Sequence, residues 1–278
     1  IGVLGTDGIM RTHRELLGQA RKFNHNKLKT YLMTGNYTYP LVTLLKDLQE
    51  DISFIPEYIG IGEIAISDHR GSGITLEEFR RILLQSRVAG MLSGKSGKAI
   101  IHVGGVKSGL ELLRQAVSNG DISPRQMLPT HISRTAQTLE EGKEWILTYG
   151  GFIDFTAGEQ AVESISSLLK EHVPAEKILC SSDGWGSMPV FDENGNFVSV
   201  KTAPVDTLYK SFVKLVTQKD YSIELVLPFF TSNVSDFFGI SKKGYGYIRE
   251  GGIASFVLVD ENFEIKETFS QGERVFSV

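Results

Sequence analysis

In the stretch KAIIHVGG (Lys98–Gly105), a short apolar run leads to a histidine, His102. Further short apolar runs that end in a polar residue occur along the chain up to Asp183. The runs that close on a polar residue are GVLGT (Gly2–Thr6), TYLMTGNY (Thr30–Tyr37), YIGIGE (Tyr58–Glu63), KAIIH (Lys98–His102), MLPTH (Met127–His131), GFIDFT (Gly151–Thr156) and KILCSSD (Lys177–Asp183). Amphipathic segments separate them, and strand and helix alternate at the length of a βαβ unit. The pattern predicts a parallel sheet wrapped by helices.

The predicted fold class is α/β, a TIM-like (β/α)8 barrel. Thr75–Gly90 is the clearest helix, because Thr75 and Glu78 have the spacing of a capping box. The other predicted helices of this part are His13–Phe23, Lys107–Ser118, Thr138–Thr148 and Ala161–His172. A closed barrel needs eight strands and the runs supply about seven, so the first strand is expected upstream of Ile1.

The pattern changes after Asp183. DENGN (Asp192–Asn196) predicts a hairpin turn, and helices are expected over Pro204–Gln218 and Tyr221–Ser232. The tail then consists of short strands, which are Ile253–Asp260, Phe263–Gln271 and Glu273–Val278. We therefore expect a barrel domain over residues 1–245 and part of a small β-sandwich-like domain over residues 246–278, with partner strands upstream of Ile1.

Composition excludes several classes of function. The chain has 278 residues, of which 41% are hydrophobic and 22% charged, as in ordinary globular proteins. Its net charge of −4 argues against nucleic acid as a partner, and no apolar run approaches the roughly 20 residues of a membrane span. Cys180 is the only cysteine, so no intramolecular disulfide forms and a cytoplasmic location is predicted.

Four side chains at strand ends are of the types that bind metals: Glu63, His102, His131 and Asp183. The carboxyl ends of parallel barrel strands meet at one rim, so these side chains are expected to lie close together. Histidine nitrogens and carboxylate oxygens are preferred ligands of zinc. A single histidine in such a place has ordinary structural explanations, but four such residues together predict a metal site.

At this point the chain resembles a known family. The motifs are LGTDG (Leu4–Gly8), TGNY (Thr34–Tyr37), IGEIAISDHR (Ile61–Arg70), MLSGKSG (Met91–Gly97), HVG (His102–Gly104), LPTHISR (Leu128–Arg134) and SSDGWGS (Ser181–Ser187). Their ordered set resembles the isoaspartyl (β-aspartyl) dipeptidases of the amidohydrolase superfamily. The resemblance implies a metal-dependent enzyme in which a zinc-activated water cleaves the isopeptide bond of β-aspartyl dipeptides.

The resemblance also implies the roles of the metal ligands. Asp183 resembles the aspartate that binds one metal and acts as general base, and His102 and His131 resemble the histidines of the second metal. Glu63 stands where many relatives carry a carboxylated lysine that bridges the two ions. Two zinc ions per subunit are expected if an HxH pair lies upstream of Ile1.

Further residues resemble those that hold the dipeptide. Arg70 and Arg134 resemble the guanidinium groups that bind substrate carboxylates, a task suited to their planar geometry. Tyr37 resembles the residue that polarises the scissile carbonyl. Thr6 and Ser187 resemble substrate contacts. His69 is expected to have a supporting or structural role, and the family implies a homo-oligomer.

The chain departs from the family pattern at Gly105, Ser133, Trp185 and Ser255, where aspartate, asparagine, asparagine and aspartate are usual. The HxH motif and a glutamate that binds the substrate amine are expected upstream of Ile1, within roughly 60–100 further residues.

Two alternatives remain open. One is another amidohydrolase activity on an acidic N-acyl or cyclic amide. The other is a non-catalytic barrel that has lost its metal site. An upstream HxH pair would favour an enzyme.

Overall fold

The structure is a computed structural model that describes residues 1–194 and 196–278, with the side chains of Asp7, Pro189 and Phe191 left out. Its α-helices are α1 (His13–His25), α2 (Leu48–Phe54), α3 (Leu76–Ser93), α4 (Glu111–Val117), α5 (Ala136–Leu147), α6 (Glu159–Lys170), α7 (Thr207–Thr217), α8 (Ile223–Val226) and α9 (Ser232–Phe237). Its strands are β1 (Leu32–Thr34), β2 (Tyr58–Ile66), β3 (Lys98–Val103), β4 (Met127–Thr130), β5 (Ile153–Thr156), β6 (Ile178–Ser181), β7 (Ser187–Phe191), β8 (Phe197–Thr202), β9 (Phe256–Val259), β10 (Ile265–Ser270) and β11 (Glu273–Ser277). Among these helices, none is long and apolar enough to cross a membrane.

The strands before Asp183 pair in parallel, as the sequence predicts. β1, β2, β3 and β4 form one sheet in that order, and β5 pairs with β6 in a second. The parallel α/β class is therefore confirmed, but the closed barrel is not, because the described strands form no closed sheet. β4 is an edge of the four-stranded sheet and contains Pro129, which has no N–H to donate and is suited to an edge strand.

The predicted strand Gly2–Thr6 is wrong beyond its first residue. Gly2 forms a single parallel bridge with Leu32. Gly5 then adopts a left-handed backbone with φ of +53°, and the chain turns into a 3-10 helix over Gly5–Ile9. Thr6 consequently lies in this 3-10 helix and not at a strand end.

The core packs the helices against the parallel strands. β2 is buried along its whole length, which is typical of a parallel strand covered on both faces. Phe79 of α3, Ile101 of β3 and Trp145 of α5 all belong to the main buried cluster. Thr75 caps α3 through the predicted capping box with Glu78.

The second half of the chain agrees with the predicted elements. β7 and β8 form an antiparallel hairpin, although Gly195 of its turn lies outside the described residues. The tail forms an antiparallel sheet in the order β11-β10-β9, separate from the parallel strands. The domain boundary at residue 245 stays a prediction.

Gly60 offers a test of the contact between β2 and β3. A Cβ at this position would lie 2.2 Å from the backbone oxygen of Lys98, which cannot move without breaking the strand pairing. We expect Gly60→Ala to lower the free energy of unfolding by about 1–3 kcal/mol, measured by denaturant titration. The control is Gly18→Ala in α1, where no atom lies within 4 Å and stability should stay equal or rise by about 1 kcal/mol. Equal stability of Gly60→Ala and the wild type would contradict this packing.

Candidate active site

Glu63, within β2, comes together with His102 near the carboxyl end of β3 and with His131 directly after β4. Glu63 Oε1 lies 3.2 Å from Nδ1 of His102 and 2.9 Å from Nε2 of His131. One ligand atom from each residue lies within 4.8 Å of the other two, and all three residues are buried. The sequence-predicted convergence of these three side chains is therefore present in the geometry.

Local features of the backbone place each of these side chains in the cluster. The ladder between β2 and β3 has an irregularity between Ile61 and Ile64, and Gly62 there has a φ of +151° that favours glycine. His102 is the next-to-last residue of β3. His131 directly follows β4 with a φ of +65°, and its Nδ1 is hydrogen-bonded to Thr156 Oγ1 at the end of β5.

The two imidazoles determine the ionisation of the carboxylate. Burial alone would raise the pKa of Glu63, but hydrogen bonds from His102 and His131 outweigh it and hold that pKa well below its usual range. Burial likewise opposes the charged form of His102, but hydrogen bonds to Asp68 and Glu63 outweigh it and raise the pKa of the ring. Glu63 is therefore an anion that two imidazole nitrogens face.

This donor set fits a metal ion. Two imidazole nitrogens and one carboxylate oxygen form a known set of three protein ligands for catalytic zinc, which leaves a position open for water or substrate. A cation bound here would take the place of any proton that a ring nitrogen directs at Glu63. Among the described residues, Asp183 does not join this cluster.

Asp183 lies beside the cluster, after the end of β6. Its backbone has a φ of +48°, and the residue is exposed at the mouth of the site. Burial on its inner side raises the pKa of Asp183, as does the negative charge of Glu63, while His131, His102 and Arg134 oppose the rise. The carboxyl group is thus electrostatically linked to the cluster without being part of it.

Tyr37 contacts the cluster from the loop after β1. Its hydroxyl oxygen lies 2.6 Å from Nδ1 of His102, and the guanidinium carbon of Arg70 lies 5.6 Å from the centre of its ring. Burial first, and then the charge of Glu63, raise the pKa of Tyr37 far above its ordinary value. The hydroxyl group therefore keeps its proton and can serve as a hydrogen-bond donor.

Arg70 and Arg134 meet at Asp68, a residue that our sequence interpretation missed. Nε and Nη2 of Arg70 donate to the two oxygens of Asp68 over 2.9 and 2.7 Å, and Nη1 of Arg134 lies 3.3 Å from Oδ2. Asp68 Oδ2 also lies 2.9 Å from Nε2 of His102. His69 is exposed. The carboxylate of the SDHR motif that contacts His102 belongs to its neighbour, Asp68.

Thr6 lies on the segment that begins at Gly5, and Ser187 lies on the segment that follows Asp183. Thr6 follows Gly5, where an added Cβ would lie 3.5 Å from Glu63 Oε2 and 3.4 Å from Cε1 of Tyr37. Ser187 is exposed and begins β7, four residues after Asp183. The roles of both residues stay predictions.

Asp154 on β5 is a second residue that the sequence interpretation did not single out. It is buried, and Oδ2 accepts hydrogen bonds from Thr130 over 2.6 Å and from Ser181 over 2.7 Å. Burial raises the pKa of Asp154 to about 6 despite these hydrogen bonds. Asp154 thereby joins the last residues of β4 and β6, which precede His131 and Asp183 along the chain. An aspartate within the apolar run GFIDFT was the feature of the sequence that could have indicated a buried carboxyl group here.

Comparison with known structures assigns the family. The crystal structure of β-aspartyl dipeptidase from the thermophilic keratin-degrading Fervidobacterium islandicum AW-1, in complex with β-Asp-Leu dipeptide, superposes with a TM-score of 0.93. It is 38% identical in sequence, and the match covers 99% of this chain and 72% of that one. The chain belongs to the β-aspartyl dipeptidase family. It matches no family model.

Further structures agree with this family and its fold. A second structure of the Fervidobacterium β-aspartyl dipeptidase has a TM-score of 0.88 at 35% identity, over 99% of this chain and 72% of that chain. Ochratoxinase from A. niger, at 12% identity, has a TM-score of 0.52 over 92% of this chain and 68% of that chain. An amidohydrolase from Mycoplasma synoviae, at 15% identity, has a TM-score of 0.50 over 82% and 72%. These last two matches show a shared fold alone.

Asp154 generates a pH-dependent prediction for the protein kept free of metal by a chelator. Its pKa is about 6 in the folded protein against 3.8 ordinarily, so the folded state holds the proton more tightly. The stability that this provides is complete below the unfolded pKa and is lost as pH rises through the folded pKa, by about 3 kcal/mol in all. We expect the wild type to lose stability relative to Asp154→Asn between about pH 4 and pH 7 in denaturant titrations.

The control for this prediction is Asp121→Asn, which changes an exposed carboxylate paired with Arg80. A difference between wild type and Asp154→Asn that stays constant over this pH range would rule out the raised pKa.

Proposed function

We propose that the protein hydrolyses the isopeptide bond of β-aspartyl dipeptides with the help of a bound zinc ion. The observation that carries this proposal is the buried Glu63–His102–His131 cluster with two guanidinium groups beside it. Membership of the β-aspartyl dipeptidase family supports the proposal independently.

The charges of the substrate suit the two arginines. A β-aspartyl dipeptide has two free carboxylates, the α-carboxylate of the aspartyl residue and the carboxyl terminus of the leaving residue. Asp68 occupies the Nε and Nη2 edge of Arg70. The Nη1 hydrogens of Arg70 are left for a substrate carboxylate, and the Nε and Nη2 hydrogens of Arg134 for the other.

Zinc would be held by Glu63 Oε1, Nδ1 of His102 and Nε2 of His131. When bound, it supplies a water of lowered pKa and polarises the amide carbonyl. We propose that Asp183 is a ligand of a second ion.

The chain supplies the proton transfers. Asp183, with its raised pKa, takes a proton from the attacking water and then donates it to the leaving amine. Tyr37 keeps its hydroxyl proton and donates a hydrogen bond to the oxygen of the scissile carbonyl as negative charge develops there. Thr6 and Ser187 would contact the bound dipeptide.

We also propose that the protein acts in the cytoplasm as a homo-oligomer, in line with the buried, unpaired Cys180 and the family resemblance.

The proposed function is tested with the full-length native protein. We expect it to cleave β-Asp-Leu but not α-Asp-Leu, to lose turnover with a chelator, and to regain it with zinc. Glu63→Gln removes the charge that holds the cation, so we expect kcat/KM to fall at least roughly 100-fold. Residues that only support metal ligands have effects of roughly 10–100-fold. The control Glu77→Gln changes an exposed carboxylate at the start of α3.

Turnover that survives complete metal removal would overturn the zinc-dependent mechanism. Cleavage of another acidic amide, with β-Asp-Leu left intact, would overturn the proposed substrate.

The arginines generate a separate prediction. Replacing Arg70 or Arg134 by methionine leaves a substrate carboxylate unpaired, so kcat/KM for β-Asp-Leu should fall roughly 10- to 100-fold, chiefly through a higher KM. The control is Arg21→Met. Arg21 lies on α1, and its side chain pairs with Glu57. Unchanged KM values in both site variants would exclude the two arginines from substrate binding.

A further inference from the structure

Nε2 of His102 has three polar neighbours with opposite requirements. Asp68 Oδ2, at 2.9 Å, can only accept a hydrogen bond. Nη2 of Arg70 and Nη1 of Arg134, each at 3.2 Å, can only donate one. In a neutral ring the nitrogen satisfies either the carboxylate or the guanidinium groups, because it has either a hydrogen or a lone pair.

The choice at Nε2 determines what the opposite nitrogen offers to the cluster. Nδ1 of His102 faces the Tyr37 hydroxyl at 2.6 Å and Glu63 Oε1 at 3.2 Å. With hydrogen on Nε2, Nδ1 presents a lone pair, which accepts from Tyr37 and can bind a cation. With hydrogen on Nδ1, an N–H points at Glu63 and no metal can bind that nitrogen.

Two carboxylates compete for the ring hydrogen, Glu63 Oε1 at 3.2 Å from Nδ1 and Asp68 Oδ2 at 2.9 Å from Nε2, and the shorter contact favours the first arrangement. The Asp68 side chain is only 3% exposed and gives the shortest of the three contacts to Nε2. It also draws the guanidinium hydrogens towards its own oxygens, twice from Arg70 and once from Arg134. One carboxylate therefore accepts the hydrogen of the ring and engages both competing donors.

We propose that Asp68 is a positioning residue that sets the tautomer of His102, so that Nδ1 of the ring is free to bind metal despite two adjacent guanidinium groups. This inference rests on the proposed function, which places zinc at the Glu63–His102–His131 cluster. It goes beyond that function in explaining how substrate-binding arginines and a metal-binding histidine can be direct neighbours.

The first test measures zinc affinity by competition with a chromophoric chelator. Asp68→Ala removes the acceptor and should weaken zinc binding roughly 10- to 100-fold, the range for residues that support a metal ligand. Asp68→Asn keeps the shape of the side chain and should show the same direction if the alanine variant does not fold. The control Asp121→Asn breaks a comparable aspartate–arginine pair outside the site and should leave affinity unchanged.

The second test separates tautomer control from simple structural support. If the guanidinium groups take over Nε2 when Asp68 is lost, removing one of them should reverse the defect. We expect Arg134→Met in the Asp68→Asn background to recover roughly 10-fold in zinc affinity, although two substitutions in one site ordinarily add their damage. Zinc affinity that stays equal to, or falls below, that of Asp68→Asn would contradict the competition.

The third test observes the ring directly, in the metal-free protein above the pKa of His102. The ¹⁵N chemical shifts of the two ring nitrogens should report hydrogen on Nε2 in the wild type and a shift towards Nδ1 in Asp68→Asn. Identical shifts in both proteins, or zinc affinities within twofold of each other, would overturn the proposal. None of these measurements needs turnover, so a protein that passes them but leaves β-Asp-Leu intact would refute the proposed function alone.

Discussion

The site depends on one buried anion, the carboxylate of Glu63, whose Oε1 is shared by two imidazole nitrogens. A buried charge is unfavourable unless it is paired and hydrogen-bonded, so the fold must deliver both partners to the same oxygen. His102 at 3.2 Å and His131 at 2.9 Å meet that requirement from two neighbouring strands. The relative positions of Glu63 on β2, His102 on β3 and His131 after β4 are therefore constrained by chemistry as well as by packing.

The neighbouring groups hold those partners in place from behind. Asp68 contacts the far nitrogen of His102, and Thr156 contacts the far nitrogen of His131. Each imidazole is thus bonded at both of its nitrogens, which determines its orientation as well as its position. Asp154 extends the arrangement by joining the ends of β4 and β6 through Thr130 and Ser181. Asp68 and Thr156 are each two hydrogen bonds away from Glu63, through His102 and His131 respectively.

The sequence predicted what periodicity and strand ends encode. The parallel strands, the helices between them and the convergence of Glu63, His102 and His131 follow from apolar runs that end in polar residues. Asp68 was missed because it lies in a loop after β2, where no periodicity indicates which side chain turns inward. The predicted strand Gly2–Thr6 was wrong because Gly5 adopts a left-handed backbone that ends the extended segment, although the residue types there are compatible with a strand. Closure of the barrel was not predictable from run lengths, because it depends on pairing between strands that are distant in the chain.

The charges around the cluster explain why a dication and a substrate with two carboxylates suit the same site. The carboxylates Glu63, Asp68 and Asp183 lie close to the guanidinium groups of Arg70 and Arg134, so charges of both signs surround the position that a cation would take. A bound divalent ion would add positive charge at that position. On the proposed function, that charge would attract a substrate with two carboxylates, which the two arginines would hold. Metal binding and substrate binding would therefore be coupled through charge, because the bound ion would make the electrostatic potential of the site more favourable for the substrate carboxylates.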